Sequence, residues 1–423
     1  VIALNTVPIF NIGSFVITTD PISVFFWTAA MVTFWLALER SPQFSSYWPF
    51  TGFLIGLGFL GKYVNALQLA SVVLVLVLVP RFRREFRRPG LYSLFGTFVI
   101  CMLPPVIWNY QHAWATLDHL RLRGALDQAP GFNPLEVLSF VGMHFVVYSP
   151  LLFLALAWAV IASWPRARQQ FKGVFLLSLA APIFLVYFLI SINKAANANW
   201  DAPAFISLGV LAASFWRERL ESRPQVFRWG AAALVVGLVM SVLALNADLL
   251  RQAGIPLPRR NPADRIRGWR SASAAVEQLR VEIEAQLGEK VFVIADERDR
   301  ASEFAFYFKD KRPEGPGHPP VYIVESQDIR NQFSFWPRYD EFVEAPPDAP
   351  PAEGDVFTET GVSLFQGRSA MYVQGNSKRD VPYNISRAFA SVEPYRTMEV
   401  RRLGRLIRTL NVYICRQYRP LEL

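Results

Sequence analysis

The chain has 423 residues, of which 52% are hydrophobic and 18% are charged, and its formal net charge is +9. Soluble domains carry about a quarter charged residues, so this composition excludes an ordinary soluble enzyme. Residues 1–246 hold 17 Lys and Arg against 9 Asp and Glu, whereas residues 247–423 hold 26 against 25. The first part therefore has the composition of a membrane domain and the second that of a soluble domain. Because the excess positive charge lies in the hydrophobic part, it bears on membrane topology and not on nucleic acid.

Apolar runs that can cross roughly 30 Å of hydrocarbon recur through the first part. We predict about nine membrane helices, since a segment inside the bilayer must satisfy its own backbone hydrogen bonds. Alternatively, the two runs on either side of Lys62 and Tyr63 form one pass with a broken neighbour. Val1 lies inside an apolar run with no signal-peptide n-region, so we expect a truncated chain whose first helix is incomplete. The runs are 1–16, 21–38, 48–61, 64–79, 91–107, 135–163, 174–192, 201–215 and 229–246.

The basic residues of the first part are concentrated in one set of alternate loops. Four such loops, near Arg40, Arg84, Arg168 and Arg219, carry 13 of the 17 Lys and Arg. The positive-inside rule places this set in the cytoplasm. The turn before Pro21, the loops 108–134 and 193–200, and everything after about residue 246 are then predicted to lie outside the cell.

The second part, residues 247–423, is predicted to be an extracytoplasmic α/β domain. Apolar residues at helical spacing over 270–287 predict a helix that stops at Gly288. Alternating helices and short apolar runs are typical of a small α/β layer. Short apolar runs predict strands at 291–295 and 320–324, and a second helix is predicted at 299–308. A Pro-rich spacer follows at 345–355, and further edge strands are predicted at 371–373, 399–407 and 412–419.

Ionisable residues at the ends of membrane helices are costly and therefore indicate function. Asp20, in the sequence TTDP, is either a helix N-cap before Pro21 or a site carboxylate. Lys62 is predicted to bind a phosphate as a lone point charge, and its alternative is a lysine that snorkels to the interface. Tyr63 adjoins it.

Two further polar groups lie on the same predicted side of the membrane. One contains Lys194, Asn197, Asn199, Trp200 and Asp201, in which the pair of amides beside the lysine suits a head group or a sugar. The other lies in the loop 108–134 and is either part of a polar cavity or an interfacial amphipathic stretch. Its candidate binding residues are Asn109, His112 and Arg121. His112 and His119 alone do not make a metal site, and His144, inside an apolar run, is expected to be a core histidine.

The motifs TTDPISVFFWTAAMVTFWLALE, WPFTGFLIGLGFLGKY, LPPVIWNYQHAW and NANWDAPAF resemble the bacterial glycosyltransferase family 39 group. This group includes protein O-mannosyltransferase-like enzymes and the lipid A aminoarabinose transferase, all of the GT-C fold. The resemblance implies a polytopic α-helical membrane protein of the bacterial inner membrane with a C-terminal α/β domain. It covers most of 1–215 and extends more faintly to SEFAFYF and RNQFSFW in the second part.

The resemblance implies an inverting hexosyl- or pentosyltransferase that uses a polyprenyl-phosphate-linked sugar on the outer face. The acceptor would be a lipid, a glycan or a protein. Asp20 resembles the second acidic residue of the family's cavity, whereas the catalytic base is expected upstream of Val1. Lys62, with Lys194 or Arg121, would stabilise the leaving phosphate. No cofactor is implied with certainty, although some relatives use a divalent metal.

Two other functions fit a polytopic membrane protein. A lipid or sugar-lipid transporter or flippase would show inverted repeats and broken helices at the midplane. A non-catalytic scaffold would present the soluble part, and its polar clusters would be incidental. The gathering of polar residues at one predicted face, without a convincing repeat, favours the transferase.

Overall fold

The structure is a computed structural model, and it divides into two compact units, Val1–Leu257 and Pro258–Leu423. Composition alone places the change between the two parts at residue 246, which is close to the boundary between these units. The described residues are 2–16, 18–123, 131–223, 225–246, 248–255, 262–312, 314–315, 317–326, 329, 331–343, 362–375 and 380–421.

Helices are the only regular secondary structure in the described part of the first unit. Its helices are α1 (Ile2–Thr6), α2 (Pro8–Phe15), α3 (Thr19–Glu39), α4 (Tyr47–Gly61), α5 (Leu67–Leu78), α6 (Pro89–Gln111), α7 (Ala115–Arg123), α8 (Pro134–Val147), α9 (Pro150–Ala167), α10 (Phe171–Ser191), α11 (Ala202–Ser222), α12 (Gln225–Leu245) and α13 (Asp248–Gln252). Short 3₁₀ segments, Tyr63–Ala66 and Pro80–Arg87, flank α5.

Within the described residues, five helices are long and apolar enough to cross a membrane: α3, α6, α9, α10 and α12. The bent pair Tyr63–Leu78 and Pro80–Arg87, which meets at 119°, would make six, and α4 and α8 are shorter apolar helices. The chain is therefore a multi-pass membrane protein. Fewer helices pass this test than the nine apolar runs, because α4, α5 and α8 are short and α11 carries charges at its end.

The predicted single run 135–163 is wrong, because two helices occupy it. Helix α8 ends at Val147 and α9 begins at Pro150, with Ser149 between them at φ 68°. A proline has no N–H to continue the helical ladder, and it disfavours helical geometry at the residue before it. Continuous apolar composition conceals such a break.

The core of the first unit is built from one face of each of five helices. Phe34, Ile55, Val72, Leu94 and Leu179 are each at most 1% exposed, and they come from α3, α4, α5, α6 and α10. This packing holds the end of α4 close to the start of α3, where the polar candidates of the sequence lie.

The second unit is an α/β domain, as the composition and pattern predict. Its elements are helices α14 (Trp269–Leu287), α15 (Arg298–Tyr307) and α16 (Tyr383–Ala388) and strands β1 (Phe292–Ala295), β2 (Tyr322–Ile323), β3 (Phe342–Val343), β4 (Val362–Ser363), β5 (Ala370–Gly375), β6 (Phe389–Arg402) and β7 (Arg405–Tyr418). The predicted stop is confirmed, because Gly288 ends α14 at φ 72°.

The main sheet of the second unit has the order β2-β1-β5-β7-β6. Strand β1 pairs in parallel with β2 and β5, whereas β7 pairs antiparallel with β5 and β6. Alternate residues of β1 face opposite sides: Val293 joins the core under α14 and α15, and Phe292 joins the core on the other face.

Three predictions for the end of the chain need correction or lie outside the described part. The runs 371–373 and 412–419 form interior strands and not edge strands, since β5 and β7 each have two neighbours. The run 399–407 begins in the edge strand β6, as predicted, and then crosses the turn of the β6–β7 hairpin, where Leu403 and Gly404 both have positive φ, as tight hairpin turns require. The Pro-rich spacer 345–355 lies outside the described residues.

Candidate functional site

Asp20 lies at the start of α3 and is not its N-cap. The cap is Thr18, whose hydroxyl accepts a hydrogen bond from the Asp20 backbone N–H at 3.4 Å. The Asp20 carboxylate is therefore not used for capping. Its Oδ1 accepts from Lys62 Nζ at 2.6 Å and its Oδ2 accepts from Asn199 Nδ2 at 2.8 Å. Both carboxylate oxygens thus bind donors from other segments of the unit.

Lys62 follows the last residue of α4, where the backbone becomes extended at φ −157°. Its ammonium is a member of an ion pair and not the lone charge that the sequence indicates, and its side chain is 19% exposed against 25% for Asp20. An ammonium has three N–H donors, and Asp20 takes one of them. Such a partly exposed pair contributes little to stability.

Buried hydrogen bonds below the pair set its geometry. Ser23, one helical turn after Asp20, donates from its hydroxyl to Asn65 Oδ1, and Asn65 Nδ2 donates back to the Ser23 carbonyl at 3.0 Å. Gln68 Nε2 donates to the carbonyl of Trp27 at 2.9 Å. Because Ser23, Asn65 and Gln68 are at most 1% exposed, these bonds tie α3 firmly to the turn that carries Lys62.

Three of the other predicted residues pack at the end of α6. Asn109 Nδ2 donates to the carbonyl of Pro105 at 2.8 Å and lies 3.5 Å from Tyr63 Oη. The ring of His112 stacks on Trp108 at 4.2 Å, and its Nδ1 lies 2.8 Å from the Trp108 carbonyl. The structure therefore brings Tyr63 and Asn109 together, and it gives His112 local partners on its own helix.

Arg121, Lys194 and Trp200 are not joined to Asp20 or Lys62 by a hydrogen bond or ion pair among the described residues. Arg121 and Lys194 are exposed, and Trp200 lies 5.5 Å from the ring of Tyr187. Of the outer cluster 194–201, Asn199 donates a hydrogen bond to the carboxylate of Asp20.

The sequence analysis missed a buried pair between His144 and Asp201. His144 Nε2 lies 2.9 Å from Asp201 Oδ1, His144 Nδ1 lies 2.8 Å from the carbonyl of Phe140, and both side chains are at most 2% exposed. The expectation of a satisfied core histidine is confirmed, whereas Asp201 belongs to the interior and not to the outer cluster. The sequence offered one signal for this pair, because two ionisable groups within apolar runs need partners.

Metal-binding residues are not clustered in the part of the chain that the structure describes. No group of three or more His, Cys, Asp and Glu side chains there could hold a metal ion.

The helices and the Asp20–Lys62–Asn199 group define the class of protein. It is a polytopic membrane protein with an α/β domain, in which a carboxylate, an ammonium and an amide are hydrogen-bonded to one another near helix ends. Residues 1–108 match the model of the family described as dolichyl-phosphate-mannose-protein mannosyltransferase. This match contains Asp20 and Lys62.

Two curated relatives and one solved structure resemble the chain. Lipid A galacturonosyltransferase RgtD of Rhizobium johnstonii is 28% identical over 208 residues, which are 49% of this chain and 42% of that protein. Undecaprenyl phosphate-alpha-4-amino-4-deoxy-L-arabinose arabinosyl transferase of Edwardsiella ictaluri is 27% identical over 256 residues, 56% and 43% of the two chains. The crystal structure of ArnT from Cupriavidus metallidurans in the apo state covers 97% of this chain and 77% of that one, at 15% identity and a TM-score of 0.48.

The family match and the curated relatives confirm the resemblance to the GT-C membrane glycosyltransferases that the motifs indicate. The chain spans less than half the length of these curated relatives.

Proposed function

We propose that the chain is part of a membrane glycosyltransferase that moves a sugar from a polyprenyl-phosphate donor to a lipid acceptor. The observation that carries the proposal is the Asp20 carboxylate held by Lys62 and Asn199 at the ends of membrane helices. The names of the relatives support it, since they describe a lipid A galacturonosyltransferase and an undecaprenyl phosphate-aminoarabinose arabinosyl transferase.

The proposed reaction is an inverting displacement at the anomeric carbon. A hydroxyl of the acceptor forms the new C–O bond while the bond to the polyprenyl phosphate oxygen breaks, and the hydroxyl proton passes to a base that we do not assign within this chain. Negative charge then increases on the leaving phosphate. A preorganised cation at that point stabilises the transition state more than the ground state.

Lys62 would supply that charge through the two N–H donors that Asp20 does not take. Asp20 keeps the ammonium oriented, and the buried Ser23–Asn65 bonds keep the two backbones in register. Asn199, from a segment 179 residues away in sequence from Asp20, closes the same site. These three residues thus form one preorganised group.

Transfer assays with the complete gene test the proposal. Membranes containing Lys62→Met are incubated with a labelled undecaprenyl-phosphate sugar, with Lys172→Met as the control, because Lys172 is an exposed lysine in the first turn of α10. We expect Lys62→Met to lower transfer about 100-fold or more and Lys172→Met to leave it unchanged. Normal transfer by an inserted Lys62→Met protein would refute the role. Movement of the donor across the bilayer without transfer would instead identify a flippase.

We further propose that Asp20 and the second unit lie on the extracytoplasmic side of the bacterial inner membrane. The clustering of arginines in the alternate loops supports this orientation. Cysteines introduced at exposed positions Thr19 and Glu393 should react with a membrane-impermeant maleimide from outside the cell, whereas one at Arg84 should not. Labelling of Arg84→Cys alone in intact cells would reverse the topology.

A further inference from the structure

The second unit contains a cavity of about 750 Å³. It opens where the parallel strands β1 and β2 end, since Asp296 follows β1 and Glu325 follows β2, and both line it. The crevice at the carboxyl ends of parallel strands is where open α/β sheets bind ligands. The volume lies in the range of small-molecule sites.

Glu325 places a buried carboxyl group in the wall of this cavity, since the residue is only 2% exposed. Its Oε2 accepts a hydrogen bond from Tyr418 Oη at 2.9 Å. Its backbone N–H donates to Tyr339 Oη at 3.2 Å, and its backbone carbonyl accepts from Asn384 Nδ2 at 2.7 Å. Its Oε1 has no hydrogen-bond partner among the described residues. A buried polar atom without a partner is unfavourable, so a ligand that supplies one would bind favourably.

The charge state of Glu325 follows from the groups that face it. These are Tyr418 from β7 and Arg338, Tyr339 and Asp340 from the segment before β3. Burial and then the nearby carboxylate of Asp340 raise the pKa of Glu325 to about 8, against the lowering effects of Tyr418 and Arg338. At neutral pH the side chain is therefore a neutral carboxylic acid, which both donates and accepts hydrogen bonds.

The rest of the lining suits an uncharged ligand better than an anion. Each of the three guanidinium nitrogens of Arg338 already donates a hydrogen bond: Nε donates to Asp340 at 2.7 Å, a second nitrogen also donates to Asp340, and the third donates to the Ser326 carbonyl at 2.7 Å. Besides the neutral Glu325, the lining includes four carboxyl groups against three guanidinium groups. A phosphate or carboxylate would thus meet few free positive charges, whereas hydroxyl groups can pair with acids and amides alike.

Aromatic rings complete the wall. Phe333 and Tyr322 line the cavity together with the amides of Asn331 and Asn384. Flat apolar rings beside planar groups that donate and accept hydrogen bonds match a sugar ring, which has an apolar C–H face and a rim of hydroxyls. We propose that this cavity is a binding site for an uncharged sugar unit, with Glu325 as its buried hydrogen-bond partner. The site lies within the second unit and requires no transfer activity.

Saturation-transfer NMR on the full chain tests this proposal. The protein is held in an amphipol, because sugar-based detergents would compete, and the probes are the methyl glycosides of glucose, galactose and N-acetylglucosamine, with inorganic phosphate as the anion. We expect at least one glycoside to bind at pH 7, to bind up to about tenfold more weakly at pH 9 than at pH 7, and to be unaffected by phosphate. Glu325→Gln, which keeps a neutral donor and acceptor, should bind at pH 7 and lose the pH dependence.

Two further variants separate binding in the cavity from binding elsewhere. Ser334→Trp places an indole at the lining and should abolish the signal, whereas Glu393→Gln, at an exposed position on β6, should behave as the unmodified chain. The proposal fails if none of the three glycosides binds, if phosphate displaces them, or if Glu325→Gln retains the full pH dependence. The pH dependence of Glu325→Gln tests the proposal even if the Ser334→Trp variant does not fold.

Discussion

Replacing Glu325 by Gln should stabilise the second unit, and the gain should grow with pH. The pKa of Glu325 is raised from 4.5 to about 8, so the folded chain holds a proton that the unfolded chain releases above pH 4.5. The free energy of unfolding therefore falls between pH 4.5 and 8 at about 1.4 kcal/mol per pH unit. A glutamine does not titrate and escapes this loss. The expected gain is roughly 3 kcal/mol at pH 7 and up to about 5 kcal/mol above pH 8.

Hydrogen exchange followed by mass spectrometry measures this gain in the full chain. The amides of β5 are suitable because all six residues are buried and paired with β1 and β7. The ratio of exchange rates in the variant and the unmodified chain at one pH cancels the intrinsic pH dependence of exchange. At pH 7 the variant should exchange about 100-fold more slowly, since 1.4 kcal/mol corresponds to a factor of ten, and the two chains should converge near pH 4.5.

A ratio that is the same at pH 5 and pH 8 would refute the reasoning, because it would mean that Glu325 titrates alike in the folded and unfolded states. The matched control is Glu393→Gln. Glu393 is 59% exposed and lies 4.0 Å from Arg416, so its ratio should remain near one at every pH.

Two further predictions concern packing. Gly52→Ala should destabilise the first unit by about 1–3 kcal/mol, because its Cβ would lie 1.9 Å from the carbonyl oxygen of Leu94. The control Gly96→Ala meets no atom within 4 Å and should not destabilise the unit. Equal thermal unfolding of the two variants in detergent would contradict this. Phe292→Ala, at 1% exposed, should cost the second unit about 3–5 kcal/mol, and Phe306→Ala, at 70% exposed, should change hydrogen exchange little; equal effects would be incompatible with the core described above.

The sequence predicted the fold well where the signal is local. Helix α14 and its stop at Gly288 follow from apolar spacing and a residue that tolerates positive φ. The run 135–163 shows where apolar patterning fails, because predominantly apolar residues continue on both sides of the break at Ser149. Likewise, a short apolar run such as 371–373 or 412–419 has the same pattern in an edge strand as in an interior strand. Their interior positions in the sheet could therefore not be predicted.

For the candidate site, composition and motif order alone determined that a membrane part precedes a soluble part and that Asp20 and Lys62 lie at helix ends. These properties depend on each residue's own preference for water or hydrocarbon, which the chain carries locally. Only the tertiary structure decided that Asp20 binds both Lys62 and Asn199, that His144 binds Asp201, and that acids from two strands line one cavity. Partner choice between segments distant in sequence arises from how the helices and strands pack, and no local pattern records it.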